Sequence, residues 1–595
     1  MNKDDLLTMR HSCEHVLHQV MVELFPGLKR AMGPATDEGF YHDFDYEEKI
    51  SEADFPKIEK RMNEIIKANL PIIRQEISIS DARKLFKNNP YKQDWINQIA
   101  LRQAQGKKEK VTVYWTGKPN QPGSDVDLCR GPHFESTGKI GPFKLLSIAG
   151  AYWHGDEKNK MLTRIYGTCF PTKEELDKYL WQIEEAKKRD HRKLGKDLDL
   201  FVFSDLIGKG LPMLTAKGTT IRRVLERFIV DEEIKRGYQH VITPPLAKVD
   251  LYRTSGHYPY YKDTMYPTMK IDDEELILRP MTCPHHFMLF KSRPRSYHEM
   301  PVRFAEISPQ FRYEKSGELS GLIRVRMFML ADAHIMTPIN QAKTEIIEVL
   351  NLIDYVNKAL GLKKGDDYRY RLSLGDRSDT KKYFKDDIAW DKAEKVLKDV
   401  LDEIKAPYYE AQNEAAFYGP KIDVVIKNVS GKEETAFTVQ YDFVMSKKFN
   451  LKFINNQGKE EEPVVIHRAS LGCFERTMAF LIEHYAGSFP LWLSPIQVEV
   501  LPISEKSIDY AKLILKTLLD NDIRAQLNSG NDTIGYKIRV STLQKIPYMV
   551  IIGEKESKNP KNLFVSVRTR EGKNLGGMEI YEFIRSLKEK IEKFS

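Results

Sequence analysis

His11 and His15 in the segment HSCEH lie four residues apart, so on a helix their imidazoles share one face, and His18 continues that face a turn later. A second four-residue spacing, Cys129-Arg-Gly-Pro-His133, follows a carboxylate at Asp127 and contains a Gly-Pro turn that holds side chains rigidly. Such a set could bind zinc or position a water for hydrolysis. A different chemistry is suggested by Phe311-Arg312-Tyr313-Glu314, then Ser316-Gly317, Gly321 and Arg324-Val325-Arg326. Arginine on a strand presents a planar fork suited to phosphate or carboxylate, and glycines let a nucleotide approach the backbone. Gly472-Cys473-Phe474-Glu475-Arg476 opens a helix and so sets a third arginine where anions are already favoured. Cys283, His334 and His467 are side chains of the kind zinc prefers, but they are too widely separated for spacing to connect them.

Positioning these groups takes several domains, because 595 residues correspond to roughly four domains at about 150 residues each. The 41% hydrophobic and 30% charged content excludes disorder, collagen-like repeats and a coiled-coil rod. The start MNKDDLL lacks a secretion signal and no apolar run is long enough to cross a bilayer, so a cytoplasmic protein without a membrane partner is expected. Five scattered cysteines make a poor disulfide framework and suit a reducing compartment, and the net charge of +8 tilts any partner toward an anion. Apolar periodicity predicts a helix over 11–25, ended by Pro26-Gly27, then a mixed region with a β-rich end. Residues 173–196 read as one charged linker helix with a narrow apolar stripe. A large α+β segment follows with a helix near 340–360. Beyond Ser494-Pro495 come strands at 497–503, 523–527, 547–552 and 563–567 and helices at 504–520, 534–545 and 579–593, a βαβ rhythm around a mixed sheet.

In order along the chain, RHSCEH, DLCRGPH, RIYGT, KRDHRKLGKDLDLF, MTCPHH, RVRMFMLADAH, FYGPKID, FTVQYDF, HRASLGCFER and VRTREGK resemble the threonyl-tRNA synthetase family of class II aminoacyl-tRNA synthetases. Class motif one is similar to the stretch ending Gln239 to Pro245, motif two to Phe311–Glu314 and motif three to Gly472–Arg476. The resemblance implies an α+β multidomain fold: an N-terminal α+β editing domain over 1–172, the linker helix, an antiparallel-sheet catalytic domain over 197–492, and an α/β anticodon-binding domain over 493–595. It implies threonine activation with ATP and magnesium, transfer to tRNA(Thr), hydrolysis of seryl-tRNA, and a homodimer formed through motif one.

By the same resemblance Arg312, Glu314, Arg324 and Arg476 contact ATP, and Asp332, Tyr418 and Gln440 hold threonine. Cys283, His334 and His467 bind one zinc per chain; His11, His15, Asp127, Cys129 and His133 form the editing site; Glu556 and Arg568 contact anticodon bases. The family favours water activation over a metal at the editing site. Two departures stand out. The chain begins almost at the editing helix, so the small ubiquitin-like module usual in bacterial members is either absent or trimmed from it. Met327 and Leu330 occupy positions where the family pattern has glycine and glutamine. A prolyl-tRNA synthetase shares the later domains but lacks the HSCEH and DLCRGPH pair. A synthetase-derived tRNA-binding regulator would not need Arg312, Glu314 and Arg476 together.

Overall fold

Asn2 accepts a hydrogen bond from the Asp5 backbone N–H (2.8 Å), and Asp4 and Asp5 occupy the first turn, where the helix dipole favours acids. The first helix therefore starts at Lys3, well before the apolar periodicity becomes visible, and runs to Leu24. The computed structural model describes residues 1–106, 109–557 and 563–595 and divides the chain into two units, 1–183 and 184–595.

In the first unit a four-stranded antiparallel sheet is ordered Lys29–Arg30, Phe40–Asp45, Met161–Cys169, Phe143–Tyr152. The first helix and the helix Phe55–Lys67 bury Val16, Leu17, Val20, Ile58 and Met62 in one core with Phe40, Phe44 and Ile165. A second core lies between a three-stranded sheet (Ile72–Ile77, Val111–Thr116, Asp125–Leu128) and the helices Ile79–Leu85 and Pro90–Ala104. The strand Asp125–Leu128 delivers the chain into the Cys129–His133 turn.

The predicted linker helix is not one helix. It runs from Lys173 to Arg189 and stops where Asp190 turns its carboxylate onto the Arg192 N–H (2.8 Å), capping a separate helix, His191–Asp197. A short acid competes well for backbone donors at such a break. His191 and Gly195 are buried, and a Cβ at Gly195 would lie 2.2 Å from the Phe201 ring, so this second piece is packed into the large unit and is no solvated bridge.

The large unit is built on eight strands in the order Gln239–His240, Val302–Phe311, Met327–Thr337, Val464–Cys473, Glu433–Asp442, Lys421–Lys427, Tyr368–Ser373, Tyr408–Ala411. All pairings are antiparallel except those of the two edge strands. The helix Ala342–Ala359 lays Ile346, Val349, Leu350 and Ile353 into the core. Beyond Ser494, five strands are ordered Ala525–Leu527, Val498–Pro502, Tyr548–Ile552, Phe564–Thr569, Asn574–Glu579, the first three parallel. Its last strand was not expected. NLGGME has almost no β-branched content, and pairing is imposed by the turn at Gly572 (φ +90°), where the Thr569 N–H reaches the Lys573 carbonyl (2.9 Å). Among the described residues no helix is long and apolar enough to cross a membrane.

Candidate active sites

The three central strands of the large sheet line a cavity of about 330 Å³. Register does the positioning: His334 stands opposite His467 across one strand pair, and His467 opposite Gln440 across the next. Cys283 begins the helix Cys283–Lys291, so its thiol joins the same end of the cavity. The ligand atoms of Cys283, His334 and His467 all lie within 4.8 Å of one another, and all three residues are buried. Three residues that spacing could not connect are thus one cluster.

Each histidine of the cluster has one nitrogen already engaged. His334 Nδ1 meets His286 Nδ1 at 2.9 Å, and His286 Nε2 lies 3.3 Å from Glu306, itself paired to Arg279 (2.8 Å). His467 Nε2 donates to Asp442 (2.8 Å), whose other oxygen accepts the Val444 and Met445 N–H groups. His334 Nε2 and His467 Nδ1 remain as ligand atoms. Carboxylate-backed imidazoles beside a thiol form the donor set zinc prefers, so the residues fit the metal. Burial pushes the Cys283 thiol up and holds His334 in the neutral form. His286 and Asp442 were not singled out from sequence. His286 had a signal, since it follows Cys283 by three positions in CPHH and shares its helix face.

Asp332 sits beside this cluster, its carboxyl raised by burial, and accepts a hydrogen bond from Gln310 Nε2 (3.2 Å). Tyr418 donates its hydroxyl to Gln440. Toward the open end stand Arg312, just past its strand, Glu314 and Arg324, joined by a 2.8 Å hydrogen bond, and Arg476 in the first turn of the helix Phe474–His484. Gly472 has φ +66°, and a Cβ there would lie 2.5 Å from the Ala436 carbonyl, so only glycine makes this strand-to-helix corner. The helix N-terminus and three guanidinium groups make a positively charged mouth of the kind that suits anions. Leu330 lines the cavity, whereas Met327 is partly exposed at the strand end.

In the first unit His11, His15, Cys129 and His133 converge. Cys129 Sγ lies 3.3 Å from His11 Nε2 and 3.2 Å from His133 Nε2, and it accepts the Gly131 N–H (3.2 Å). Desolvation holds His11 down at about 4, depresses His15 and His133, and pushes Cys129 up to about 12. The set is therefore one of neutral bases and a neutral thiol. Asp127 lies apart from it, its oxygen taken by the buried Lys92 ammonium (2.7 Å), and both residues line the same pocket of about 560 Å³. No spacing pattern marks Lys92. His18 is turned away from the thiol, with Nδ1 2.9 Å from Arg30 and 3.2 Å from Asp125.

In the short helix Glu554–Ser557, beside the C-terminal sheet, Glu556 accepts hydrogen bonds from the Gly553 N–H (2.9 Å) and Ser566 (2.8 Å), which keep its carboxyl below the ordinary range against burial. Arg568 lies two residues beyond Ser566 on the strand Phe564–Thr569, hence on the same face. Among the described residues no carboxylate lies within ion-pair distance of Arg568, so its charge is uncommitted.

Family models match residues 266–485 as a tRNA synthetase class II core domain (G, H, P, S and T), residues 497–590 as an anticodon binding domain, and residues 111–166 as the Threonyl and Alanyl tRNA synthetase second additional domain. The threonine–tRNA ligase of Geobacillus sp. (strain WCH70) is 47% identical over 98% of this chain and 88% of its own length. Threonine–tRNA ligase 1 of Bacillus subtilis (strain 168) is 47% identical with the same coverage. The chain belongs to the threonine–tRNA ligase family. A solved structure described as the RNA binding domain of threonyl-tRNA synthetase from Cryptosporidium parvum Iowa II superposes with a TM-score of 0.63 at 34% identity, over 67% of this chain and 98% of that one. Prolyl-tRNA synthetase of Giardia lamblia, at 15% identity and a TM-score of 0.53 over 69% of this chain and 80% of its own, shares the fold alone. The matched second additional domain contains Asp127, Cys129 and His133, while His11 and His15 come from the helix that precedes it, and the matched core contains Cys283, His334 and His467.

Proposed function

We propose that this chain activates threonine with ATP in the large cavity, transfers it to tRNA(Thr), and hydrolyses seryl-tRNA(Thr) in the N-terminal pocket. The observation that carries the reading is the cavity itself, where a zinc-type donor set stands at the closed end and arginines at the mouth. The threonine carboxylate attacks the α-phosphorus of ATP, giving threonyl-adenylate and pyrophosphate. Arg312 binds the carboxylate and α-phosphate, Arg476 the γ-phosphate, and Glu314 the adenine, with Arg324 in the phosphate region and magnesium bound by the nucleotide. Fixed positive charge where negative charge shifts stabilises the transition state, and holding both reactants in line removes much of the entropic barrier. The terminal ribose hydroxyl of tRNA then attacks the acyl carbon and releases AMP.

Cys283, His334 and His467 would hold one zinc ion, which when bound offers the substrate's amino and hydroxyl groups a coordination site that valine cannot use. Asp332, Tyr418 and Gln440 orient the amino acid around it. Serine has the same two polar groups and lacks one methyl, a difference of about 1 to 3 kcal/mol, so a second hydrolytic pocket is needed. There His11, His15, Cys129 and His133 position a water against the seryl ester, with Lys92 and Asp127 at the wall. Glu556 and Arg568 read the anticodon. Ile242, 95% exposed beside the buried Thr243 in the motif-one stretch, supports a homodimer through that stretch. Five free cysteines support a reducing, cytoplasmic setting. Amino-acid-dependent exchange of pyrophosphate into ATP tests the reading: threonine supports exchange, valine does not, and a chain inactive with threonine but active with proline would overturn it.

A further inference from the structure

His191 opens the short helix that replaces the end of the expected linker, and it is 2% exposed. Both of its ring nitrogens are used. Nε2 accepts the Leu322 backbone N–H at 3.1 Å, so the ring proton is on Nδ1, where Glu483 accepts it at 2.7 Å. Glu483 also faces the His191 backbone N–H (3.3 Å). Asp190, His191 and Glu483 are close enough to suggest a cation site, but these hydrogen bonds satisfy the imidazole without one.

What His191 grips is the segment that carries the nucleotide arginines. Gly321 has φ +48°, and a Cβ there would lie 2.1 Å from His191 Nε2, so the loop is pressed directly onto the ring. Leu322 is fully buried. The next carbonyl, that of Ile323, accepts Arg476 Nε (3.3 Å), and the next residue, Arg324, is paired to Glu314 (2.8 Å). Glu483 lies near the C-terminal end of the helix whose first turn holds Arg476. One imidazole therefore ties the two ends of the arginine-bearing mouth together, acting through Leu322 on one side and Glu483 on the other.

We infer that His191 is a positioning residue for ATP, a strap that fixes the 320–324 loop against the helix Phe474–His484 so that Arg312, Arg324 and Arg476 face one phosphate chain. The inference rests on the reading of the cavity as the ATP site. It touches no substrate itself, and its effect is confined to the mouth because the Cys283 cluster is fixed by contacts of its own, His286 on His334 and Asp442 on His467.

The two halves of the strap can be cut separately. Gln at 191 places an acceptor where Nε2 is and keeps the Leu322 bond; Asn places a donor where Nδ1 is and keeps the Glu483 bond. Threonine-dependent pyrophosphate exchange is measured in the full chain for wild type, His191→Gln and His191→Asn, with KM for ATP and for threonine, bound zinc and Tm. The expected result is a KM for ATP raised about tenfold in each variant, because either substitution releases one end of the strap, consistent with a lost buried hydrogen bond of about 1.4 kcal/mol. KM for threonine, zinc content and Tm stay close to wild type in both. Wild-type KM for ATP in either variant, or equal rises in both KM values, overturns the strap. Failure of wild type to exchange with threonine would instead overturn the functional reading and leave the His191 contacts as they are.

Discussion

Two pockets in this chain are assembled from the same alphabet, cysteine and histidine, and differ in what stands behind it. In the large-sheet cavity one nitrogen of each histidine is occupied, His334 by His286, which is backed by Glu306, and His467 by the carboxylate of Asp442. The remaining nitrogens face the Cys283 thiol, with the Asp332 carboxylate 3.9 Å from His334 Nε2. In the N-terminal pocket the thiol accepts bonds from its own set, and the buried nitrogens His15 Nδ1 and His133 Nδ1 have no hydrogen-bond partner among the described residues. The two nearby acids are committed elsewhere: Glu14, 3.9 Å from His15 Nε2, is bonded to His42, and Asp127 to Lys92. Outer partners fix tautomer and raise ligand basicity, so the first arrangement is poised for a metal and the second for neutral bases around a water. Residue type alone does not separate the two chemistries; the partners do.

The largest effect is expected from cutting the bases. His15→Ala combined with Cys129→Ala should slow deacylation of seryl-tRNA by about 10²- to 10⁴-fold, the usual range for general acid–base groups, while threonine-dependent exchange is kept. Parallel loss of both would mean that the pockets are structurally coupled. Asp442→Asn removes a carboxylate behind the other pocket and should weaken metal affinity by about 10- to 100-fold, read by competition with a chelator. The same affinity in the variant would erase the contrast drawn between the two sets.

A smaller change is expected outside both pockets. Arg568→Ala should weaken tRNA charging by about tenfold, within the 1–3 kcal/mol typical of a base contact, and leave exchange unchanged. The smallest expected effect is a flat line. Because burial holds His11 at about 4 and depresses His15 and His133, these bases stay deprotonated as pH falls through the ordinary histidine range. Seryl-tRNA deacylation should therefore hold level from pH 8 to about 5 and fall only as pH approaches 4. A midpoint near 6.5 would show solvated imidazoles and break the account of the pocket.

Much of this was legible in the sequence where spacing is local. His11 and His15 at i and i+4, the Cys129–His133 turn and the βαβ rhythm after Ser494 all declare themselves within a few residues. Cys283, His334 and His467 became a set only through the family resemblance, because antiparallel register and not spacing brings them together. Asp442 and Lys92 act through contacts across elements, which no periodicity records. The break at Asp190 was missed because helical charge patterning continues straight through it, and only the cap and the buried His191 reveal two helices. The last strand was missed because its pairing comes from the neighbouring turn and not from its own residues.

Metal content per chain, measured on protein purified without added zinc, tests the contrast most directly. A closed set of three ligands with one open position predicts about one zinc per chain in wild type and in Cys129→Ser, and essentially none in Cys283→Ser. Roughly two per chain in wild type, falling to one in Cys129→Ser, would contradict it and make the N-terminal pocket a metal site as well.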